Sequence, residues 1–464
     1  MTTFVRSISS SENYEYYGWS QGEFANTNNL AGLRFDGTVV SWGHSANLPN
    51  DNSGFPISGI VKLYSHMWGY AGLKYDDSVV SWGQHYFDVE MPNDLGDVSK
   101  IYTTREAFAA LKHDGSVVTW GGASIGENLG EDSSSVSSSL NGGVIEIVST
   151  YGAFAALKTD GSVVTWGGGT VDNPEIYGAD SSSVSQALSS GVVQVIASGR
   201  STNQGAFAAL KKDGSVITWG HQGAPGYGGA GNSNAVKAEL SSGVKQVFAS
   251  GSSFAALKED GSVITWGEYK AGGESSTVKA KLSSGVVEVI GSSSAFAALK
   301  IDGSVVTWGS SSGGGDSDRV ANQLTTGVSK IYATGGAFAA LKTDGSVITW
   351  GSSGGGNSDS VTAQLSAGVK EIYSTGDAFA ALKTDGSVVT WGNSDFGGNS
   401  TSVSQKLSAN IVQVITTDSA FAALKQDGSV VTWGDALRGG VSQLATVQPN
   451  GGFTNSGSVE QALS

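Results

Sequence analysis

Residues 295–309 read AFAALKIDGSVVTWG, and close variants of this string recur along most of the chain. The Trp-Gly pair that ends the string occurs ten times at spacings of 38 to 53 residues, and the last four intervals are 41 or 42. A repeated period of this length is the sequence signature of a repeat architecture. The sequence therefore predicts ten units, which end at Trp42, Trp82, Trp120, Trp166, Trp219, Trp266, Trp308, Trp350, Trp391 and Trp433.

Each unit contains the pattern of three short β-strands. In unit 7, residues 286–290, 295–300 and 304–308 are apolar runs separated by turn residues, which is typical of strands. The dipeptide Asp302-Gly303 between the second and third strands predicts a type I′ hairpin. The second unit has Asp76-Asp77 instead, and we expect a strained turn or another turn type there.

The linker between units is polar, and it predicts a short helix. Residues 316–324 place Asp and Ser before a Val and a Leu four residues apart, which indicates an N-capped helix of one or two turns. Gly327 is expected to end it. The second strand is apolar on both faces up to its final Lys, so we expect neighbouring sheets to cover both faces.

A three-stranded unit of this size cannot bury two apolar faces alone, whereas face-to-face packing with its own copies can. The predicted fold is all-β: a β-propeller of ten short three-stranded blades of about 42 residues, forming one domain over residues 1–464. Residues 458–464 match the interior helix at 183–189, and the chain begins with a strand at 4–8. The C-terminal helix, in a closing tail at 435–464, would complete the N-terminal blade of a closed ring. An open superhelical array of the same blades is the alternative.

The unit resembles the regulator-of-chromosome-condensation repeat, over residues 4–434. It is similar in length to the repeat of secreted bacterial β-lactamase-inhibitor propellers, which has the same order of Gly-Val run, Ala-Leu-Lys strand and Val-x-x-Trp-Gly strand. The resemblance implies a propeller that commonly binds proteins. Two features depart from the family: its His before the Ala-Leu strand is replaced by Ala or Phe in most units, and its seven blades compare with ten here.

Composition excludes several function classes. The net charge of -15 from 41 acidic and 26 basic residues argues against nucleic-acid binding, which needs clustered Lys and Arg. There is no Cys, so disulfides, thiol nucleophiles and thiolate metal sites are excluded. No apolar run is long enough to insert into a membrane, and we expect no secretory leader. The five histidines lack metal-ligand spacing; they are His44, His66, His85, His113 and His221.

No nucleophile elbow, phosphate loop or catalytic carboxylate pair is recognisable, so we expect a non-enzyme without a cofactor or metal. Gly-rich runs before Asp316 and Asn357 could place oxygen ligands for calcium, but helix capping explains the same residues and is favoured. The Trp that ends each unit could form a ligand-stacking ring, yet a Trp repeated at one position is more typical of a core.

Candidate binding residues come from two observations. Residues 1–90 hold 16 of the 42 aromatic residues, and the extra ones are predicted in loops, although they could instead pack the seam of the ring. Units 3 to 5 carry about 4, 11 and 5 additional residues, which could decorate one binding face or be tolerated variation. The candidates are Tyr14, Tyr16, Tyr17, Trp19, Tyr64, Trp68, Tyr70, Tyr86, Phe87, Tyr177, Arg200, His221 and Tyr227.

Two functions remain open at this stage. The first is a non-catalytic scaffold that recognises a protein partner through aromatic or inserted loops, the partner having a basic face because this chain is acidic. Carbohydrate binding by the aromatic loops is a variant of it. The second is a surface or structural repeat protein, such as a spacer, an adhesin or an assembly subunit, which the near-identical units 6 to 10 favour.

Overall fold

In the computed structural model, the repeat forms ten three-stranded antiparallel sheets, one for each predicted unit. In every sheet the three strands are adjacent in the order in which the chain makes them. The prediction of an all-β repeat of three-stranded units is confirmed. The structure describes residues 5–8, 29–34, 39–43, 58–66, 69–83, 90–122, 128–168, 177–199, 204–223, 228–352, 354–416, 419–435, 443–447 and 453–458.

The strands of the ten units have nearly constant lengths. The first strands are Val5–Ile8, Ile60–Ser65, Val98–Thr103, Val144–Ser149, Val192–Ser198, Val244–Ala249, Val286–Gly291, Val328–Ala333, Val369–Ser374 and Ile411–Thr416. The second strands are Asn29–Arg34, Gly69–Lys74, Ala107–Lys112, Ala153–Lys158, Ala206–Lys211, Ser253–Lys258, Ala295–Lys300, Ala337–Lys342, Ala378–Lys383 and Ala420–Lys425. The third strands are Val39–Gly43, Val79–Gly83, Val117–Gly121, Val163–Gly167, Val216–Gly220, Val263–Gly267, Val305–Gly309, Val347–Gly351, Val388–Gly392 and Val430–Gly434.

The hairpin between the second and third strands is not the predicted type I′ turn. In unit 7 the Gly303 N–H donates to the Lys300 carbonyl at 2.9 Å, and Gly303 has a φ of 75° whereas Asp302 does not have a positive φ. This is a type I turn followed by a left-handed glycine, the geometry of three-residue hairpin loops. The Asp302 carboxylate accepts from the Ser304 N–H at 2.9 Å. This bond explains why Asp occupies the position although the turn does not require a positive φ there.

The second unit keeps this turn and places a strained residue in it. Asp77 occupies the position of the glycine with a φ of 61°, and its N–H donates to the Lys74 carbonyl at 3.0 Å. A side chain in this region clashes with the backbone, although Asp tolerates it better than most residues. The expectation of a strained turn at Asp76-Asp77 is therefore confirmed.

The linker segments are mostly 3₁₀ rather than α-helical. The N-cap residues Ser317 and Ser358 make no side-chain cap bond. The residue before each of them does bond to the segment: the Asp316 carboxylate accepts from the Asp318 N–H at 2.9 Å and the Asn357 side chain accepts from the Asp359 N–H at 2.8 Å. The 3₁₀ segments are Ser134–Leu140, Ser182–Val184, Asn234–Val236, Glu239–Ser241, Tyr269–Ala271, Ser276–Val278, Ser311–Gly313, Asp318–Gln323, Asp359–Val361, Ser394–Phe396 and Thr401–Val403, and one α-turn is Thr362–Leu365.

The apolar core lies between the sheets, not within them. Ala295, Ala297 and Leu299 of unit 7 pack in one cluster with Phe338 and Trp350 of unit 8. The corresponding residues form equivalent clusters at the other described junctions. The predicted covering of both faces of the second strand is confirmed, because five of its six residues are buried in unit 7. Each unit thus depends on its neighbours for burial.

A hydrogen bond from six of the terminal Trp residues supports this packing. The Trp308 Nε1–H donates to the Gly272 carbonyl of the preceding unit at 3.0 Å. Five other indoles donate in the same way to a residue 36 positions earlier: Trp166, Trp266, Trp350, Trp391 and Trp433. The repeated Trp is therefore a core residue that joins two units.

Two of the other indoles depart from this pattern: Trp120 donates to the Ser81 hydroxyl at 3.2 Å, and Trp219 makes no such bond. The Trp219 Nε1 is buried and has no hydrogen-bond partner. The glycine equivalent to Gly272 is Gly178, since a Cβ on either would contact the ring of the stacked Phe of the next unit. Gly178 lies 41 residues before Trp219 rather than 36, because the turn between the first and second strands of unit 5 is longer.

Successive sheets converge on their first strands. The first strand of each unit lies against the first strand of the next, whereas the third strands of neighbouring units do not meet in this way within the described ranges. Backbone hydrogen bonds also join successive turns that follow the first strands. The N–H groups of Gly251, Ser293 and Gly335 donate to the carbonyls of Ser293, Gly335 and Gly376 at 3.0, 3.1 and 2.7 Å.

The C-terminal tail contains a hairpin that the sequence analysis does not anticipate. Gln443–Val447 pairs with Phe453–Ser458, so Ser458 ends a strand. The rest of the predicted closing helix lies outside the described residues. In the part of the chain that the structure describes, no helix has the length and hydropathy needed to cross a membrane.

Candidate functional site

Most of the predicted binding residues fall outside the described residues. Four can be placed: Tyr64, Tyr70, Tyr177 and His221. The other nine are Tyr14, Tyr16, Tyr17, Trp19, Trp68, Tyr86, Phe87, Arg200 and Tyr227. Their role in binding remains a prediction.

The expectation that Tyr64 and Tyr70 lie in loops is wrong. Tyr64 is in the first strand and Tyr70 in the second strand of unit 2, and they are only 1% and 4% exposed. Tyr70 takes the position of the Phe in other units and stacks on Trp82 with ring centroids 5.6 Å apart. Burial raises the pKa of Tyr70 well above its ordinary value. Both side chains belong to the core, where their rings fill space between the sheets.

The described ends of the inserted segments lie at one end of the sheets. In unit 4, Ser149 pairs with Phe154 and Phe154 pairs with Trp166. The end of the first strand, the start of the second and the end of the third are therefore level with one another. We call this the turn end; it comprises the turn after the first strand and the start of the linker after the third. The insertions of units 3 to 5 begin or end there.

A stack of three side chains occupies the turn end of units 3 and 4. The Arg105 guanidinium lies over the Tyr151 ring at 5.0 Å, and Tyr151 stacks on Tyr177 with centroids 5.6 Å apart and planes 13° from parallel. The Arg105 N–H also donates to the Tyr151 carbonyl at 2.9 Å. Arg105 and Tyr151 come from turns of successive units, so the stack spans a junction between units.

The backbone around Tyr177 holds it in this stack. The Thr150 Oγ1–H donates to the Tyr177 carbonyl at 2.6 Å, as the equivalent Ser or Thr does in other units. Glycines make room for the ring: a Cβ on Gly152 would lie 3.1 Å from Tyr177 Cγ, and one on Gly168 would lie 2.5 Å from Tyr177 Cβ. Tyr177 is buried and Tyr151 partly exposed, so Tyr177 supports the ring that faces solvent.

Unit 3 and the linker after it contain two buried carboxylates, of which Glu106 lies next to Arg105. Arg105 Nε is 3.7 Å from Glu106 Oε1, and the side chains are 30% and 2% exposed. Glu131 is buried, and its Oε2 accepts from the Leu129 N–H at 2.8 Å. An ion pair with one buried partner fixes a guanidinium more firmly than an exposed pair does. The arrangement presents a cation and an aromatic face that are both held in place.

The corresponding turn position differs in the later units. Arg105 and Tyr151 align with Gly251, Ser293 and Gly335, which carry almost no side chain. The sequence analysis did not select Arg105 or Tyr151. The signal that could have found them is an alignment with the turns of units 6 to 9, in which Gly or Ser takes the position of Arg105 and Tyr151.

His221 and the acidic runs do not form a metal site in the described residues. The His221 N–H donates to the Gly205 carbonyl at 2.9 Å, and its carbonyl accepts from the Gly231 N–H at 2.8 Å, so its backbone shapes the inserted loop. Among the residues placed by the structure, no three His, Asp or Glu side chains are grouped to hold a metal ion. Asp316 and Asn357 each accept a hydrogen bond from the backbone N–H two residues later, at the start of the 3₁₀ segment.

Comparisons with known proteins identify structural neighbours only. No family model matches the chain, and no curated protein matches it. Yeast RCC1 (Prp20), solved bound to Kap60, is similar at 15% identity over 53% of this chain and 69% of that one, with a TM-score of 0.29. The CR4 receptor kinase ectodomain of Physcomitrella patens is similar at 15% identity over 62% and 72%, with a TM-score of 0.28. The computationally designed Ika8 is similar at 15% over 70% and 94%, with a TM-score of 0.30.

Proposed function

We propose that the protein is a non-catalytic scaffold that binds a protein partner through the turn end of units 3 to 5. The observation that supports this most directly is the stack of Arg105, Tyr151 and Tyr177. Arg and Tyr are enriched among the residues that dominate binding energy at protein interfaces. Their fixed positions reduce the entropy that a partner must overcome on binding.

The charge of the chain indicates the partner's chemistry. A net charge of -15 favours association with a protein that has a basic face, because complementary fields raise the rate of encounter. Arg105 is the exception within the site, and the carboxylate of Glu106, 3.7 Å away, offsets its charge. We therefore expect its planar guanidinium and the Tyr151 ring to provide contact area more than net attraction.

The experiment replaces the stack with residues that the repeat itself uses. Arg105→Ser and Tyr151→Gly copy the turns of later units and should retain the fold. The control is Tyr75→Ser, which removes a tyrosine that is 76% exposed at the opposite, hairpin end. A photo-crosslinking amino acid at position 151 and, separately, at position 75 identifies partners by mass spectrometry, and each candidate is then purified and titrated.

The proposal expects a partner that crosslinks from position 151 and not from position 75. Its affinity should fall at least tenfold in each stack variant and stay unchanged in Tyr75→Ser, since interface anchors typically contribute more than 1 kcal/mol. Equal affinity for all three variants would refute the site. A glycan array tests the carbohydrate variant of this function, which a signal lost in Tyr151→Gly would favour instead.

The second candidate is a structural or surface repeat protein. The backbone bonds that join Gly251, Ser293, Gly335 and Gly376 in series favour it, because they stiffen the units whose surfaces are most alike. Ordered polymers in electron micrographs of the purified protein would favour this function over partner binding.

Ring closure is part of the same proposal. We infer that ten blades form a closed ring, with the open superhelix as the alternative. An image along the molecular axis would distinguish them, since a ring shows ten blades around a hole and a superhelix shows two separated ends.

A further inference from the structure

The convergence of the sheets gives the molecule a second distinctive surface. The first strands lie on the inside of the curve, because neighbouring sheets approach most closely there. In each of units 2 to 10 the register of the first strand shifts after its first residue, between Val286 and Glu288 in unit 7. The second residue, such as Val287, is a bulge residue without a ladder partner. We call the second and third residues of these nine strands the axial stripe.

The axial stripe concentrates exposed aliphatic side chains. Five β-branched residues at the bulge position are 38% to 53% exposed: Val61, Ile145, Val193, Val287 and Val412. They account for five of the nine large hydrophobic residues that are exposed in the described part of the chain. They recur at the same position of units 2, 4, 5, 7 and 10, and Ser or Lys takes that position in units 3, 6, 8 and 9.

The charge of the axial stripe is opposite to that of the whole molecule. Its described positions contain five lysines and three glutamates, although the chain as a whole has a net charge of -15. The lysines are Lys62, Lys100, Lys245, Lys330 and Lys370.

Three of these lysines are held over aromatic rings. Lys100 Nζ lies 4.7 Å from the centroid of the Tyr102 ring, and Lys62 and Lys330 lie over the tyrosine two residues later at 5.3 and 4.9 Å. Such contacts attract the cation to the ring face and limit its movement. The stripe therefore presents ordered positive charges between aliphatic side chains.

We propose that the axial stripe binds an extended acidic segment of a protein partner that also carries aliphatic side chains. The exposed aliphatic residues would contact the apolar side chains of the segment, and the lysines would pair with its carboxylates. A surface that runs through successive units on the inside of a repeat array suits a long, thin ligand, because it offers contacts over several units. This surface is separate from the turn end, so the proposal does not rest on the scaffold function.

The test uses a defined peptide and two charge-matched variants of the full chain. The probe is a fluorescein-labelled peptide of three Asp-Val-Glu-Leu repeats, and the comparison peptide has Lys in place of each acidic residue. Lys245→Glu with Lys370→Glu reverses two exposed charges of the stripe. Lys237→Glu with Lys279→Glu changes the net charge equally but lies on the linkers, where both side chains are exposed. Fluorescence anisotropy gives the affinities, and far-UV circular dichroism checks folding.

We expect the acidic peptide to bind, and its affinity to fall at least tenfold in the stripe variant and less than twofold in the linker variant. High salt should weaken binding, because it screens the lysines. Replacing Val287 and Val412 by Ser should weaken binding without changing its salt dependence. Arg105→Ser should leave it unchanged, which distinguishes failure of this proposal from failure of the scaffold. No binding at millimolar peptide, equal binding of the lysine peptide, or equal loss in both charge variants would overturn the proposal.

Discussion

Replacing Trp308 by Phe should destabilise the protein more than the same replacement at Trp219. Both indoles are buried and stack on a Phe with centroids 5.3 Å apart, so both substitutions remove the same apolar volume from similar sites. Only Trp308 makes the hydrogen bond to the preceding unit, at 3.0 Å to the Gly272 carbonyl. The pair of variants therefore isolates the contribution of that bond.

The size of the difference in stability depends on whether each substitution leaves a buried polar atom without a hydrogen bond. Trp308→Phe leaves the Gly272 carbonyl without its indole donor, which costs about 1–3 kcal/mol when the group is buried. Trp219→Phe removes a buried donor that has no acceptor. Removing this unsatisfied group offsets part of the stability that is lost with the packing of the indole. We expect Trp308→Phe to cost about 1–3 kcal/mol more than Trp219→Phe.

The assay must resolve individual junctions, because long repeat arrays can lose two-state unfolding. Hydrogen exchange measured by mass spectrometry on the second and third strands of units 5 and 7 reports the free energy of opening at each. Urea unfolding followed by circular dichroism gives the global value. If Trp219→Phe cost as much as Trp308→Phe or more, the hydrogen bond would not be what stabilises the junction.

Three further predictions follow from other contacts. Lys158→Met should lower the free energy of unfolding by about 0.5–1.5 kcal/mol in urea titrations, because Lys158 Nζ donates to the Ser139 carbonyl at 2.7 Å; the exposed Lys212→Met is the control and should have little effect. Hydrogen bonds from Ser304 lower the pKa of Asp302, as the following Ser does for the other hairpin Asp residues. The unfolded chain therefore binds more protons than the folded one, and the free energy of unfolding should decrease as the pH falls through the ordinary Asp range. Ser304→Ala should reduce that acid dependence in thermal melts, and an unchanged profile would contradict the assignment. Burial lowers the pKa of His66 to about 3, so stability should also decrease as pH falls from about 6.5 towards 3; His66→Leu should flatten the profile between about pH 6.5 and 4.5, and an identical slope in the variant would count against it.

The strand pattern of the fold could be predicted because it is repeated. The alternation in residues 286–290, the apolar second strand and the terminal Trp308 each recur in register, and their burial follows from packing against copies. The turn type could not be derived from Asp302-Gly303 alone. That dipeptide fits both a two-residue and a three-residue hairpin loop, and the pairing of Leu299 with Val305 decides between them.

The candidate site was harder to predict from aromatic content. Tyr64 and Tyr70 look like additions to the repeat, yet they take core positions whose occupants vary among units. Arg105 and Tyr151 attract less attention in the sequence because each is one residue in a short turn. Their contact depends on the distance between successive units, which a single unit's sequence does not specify.

The 36-residue interval that separates six indoles from their acceptors bears on how such a chain can evolve. Extra residues after a terminal Trp fall outside this interval, and Trp266 retains its bond to Ala230 although the loop before Ala230 is enlarged. Unit 5 has its additional residues inside the interval, and there the bond is absent. Unequal recombination that adds or deletes whole units would recreate the same junction each time, so the gene could change length without requiring a new contact between units.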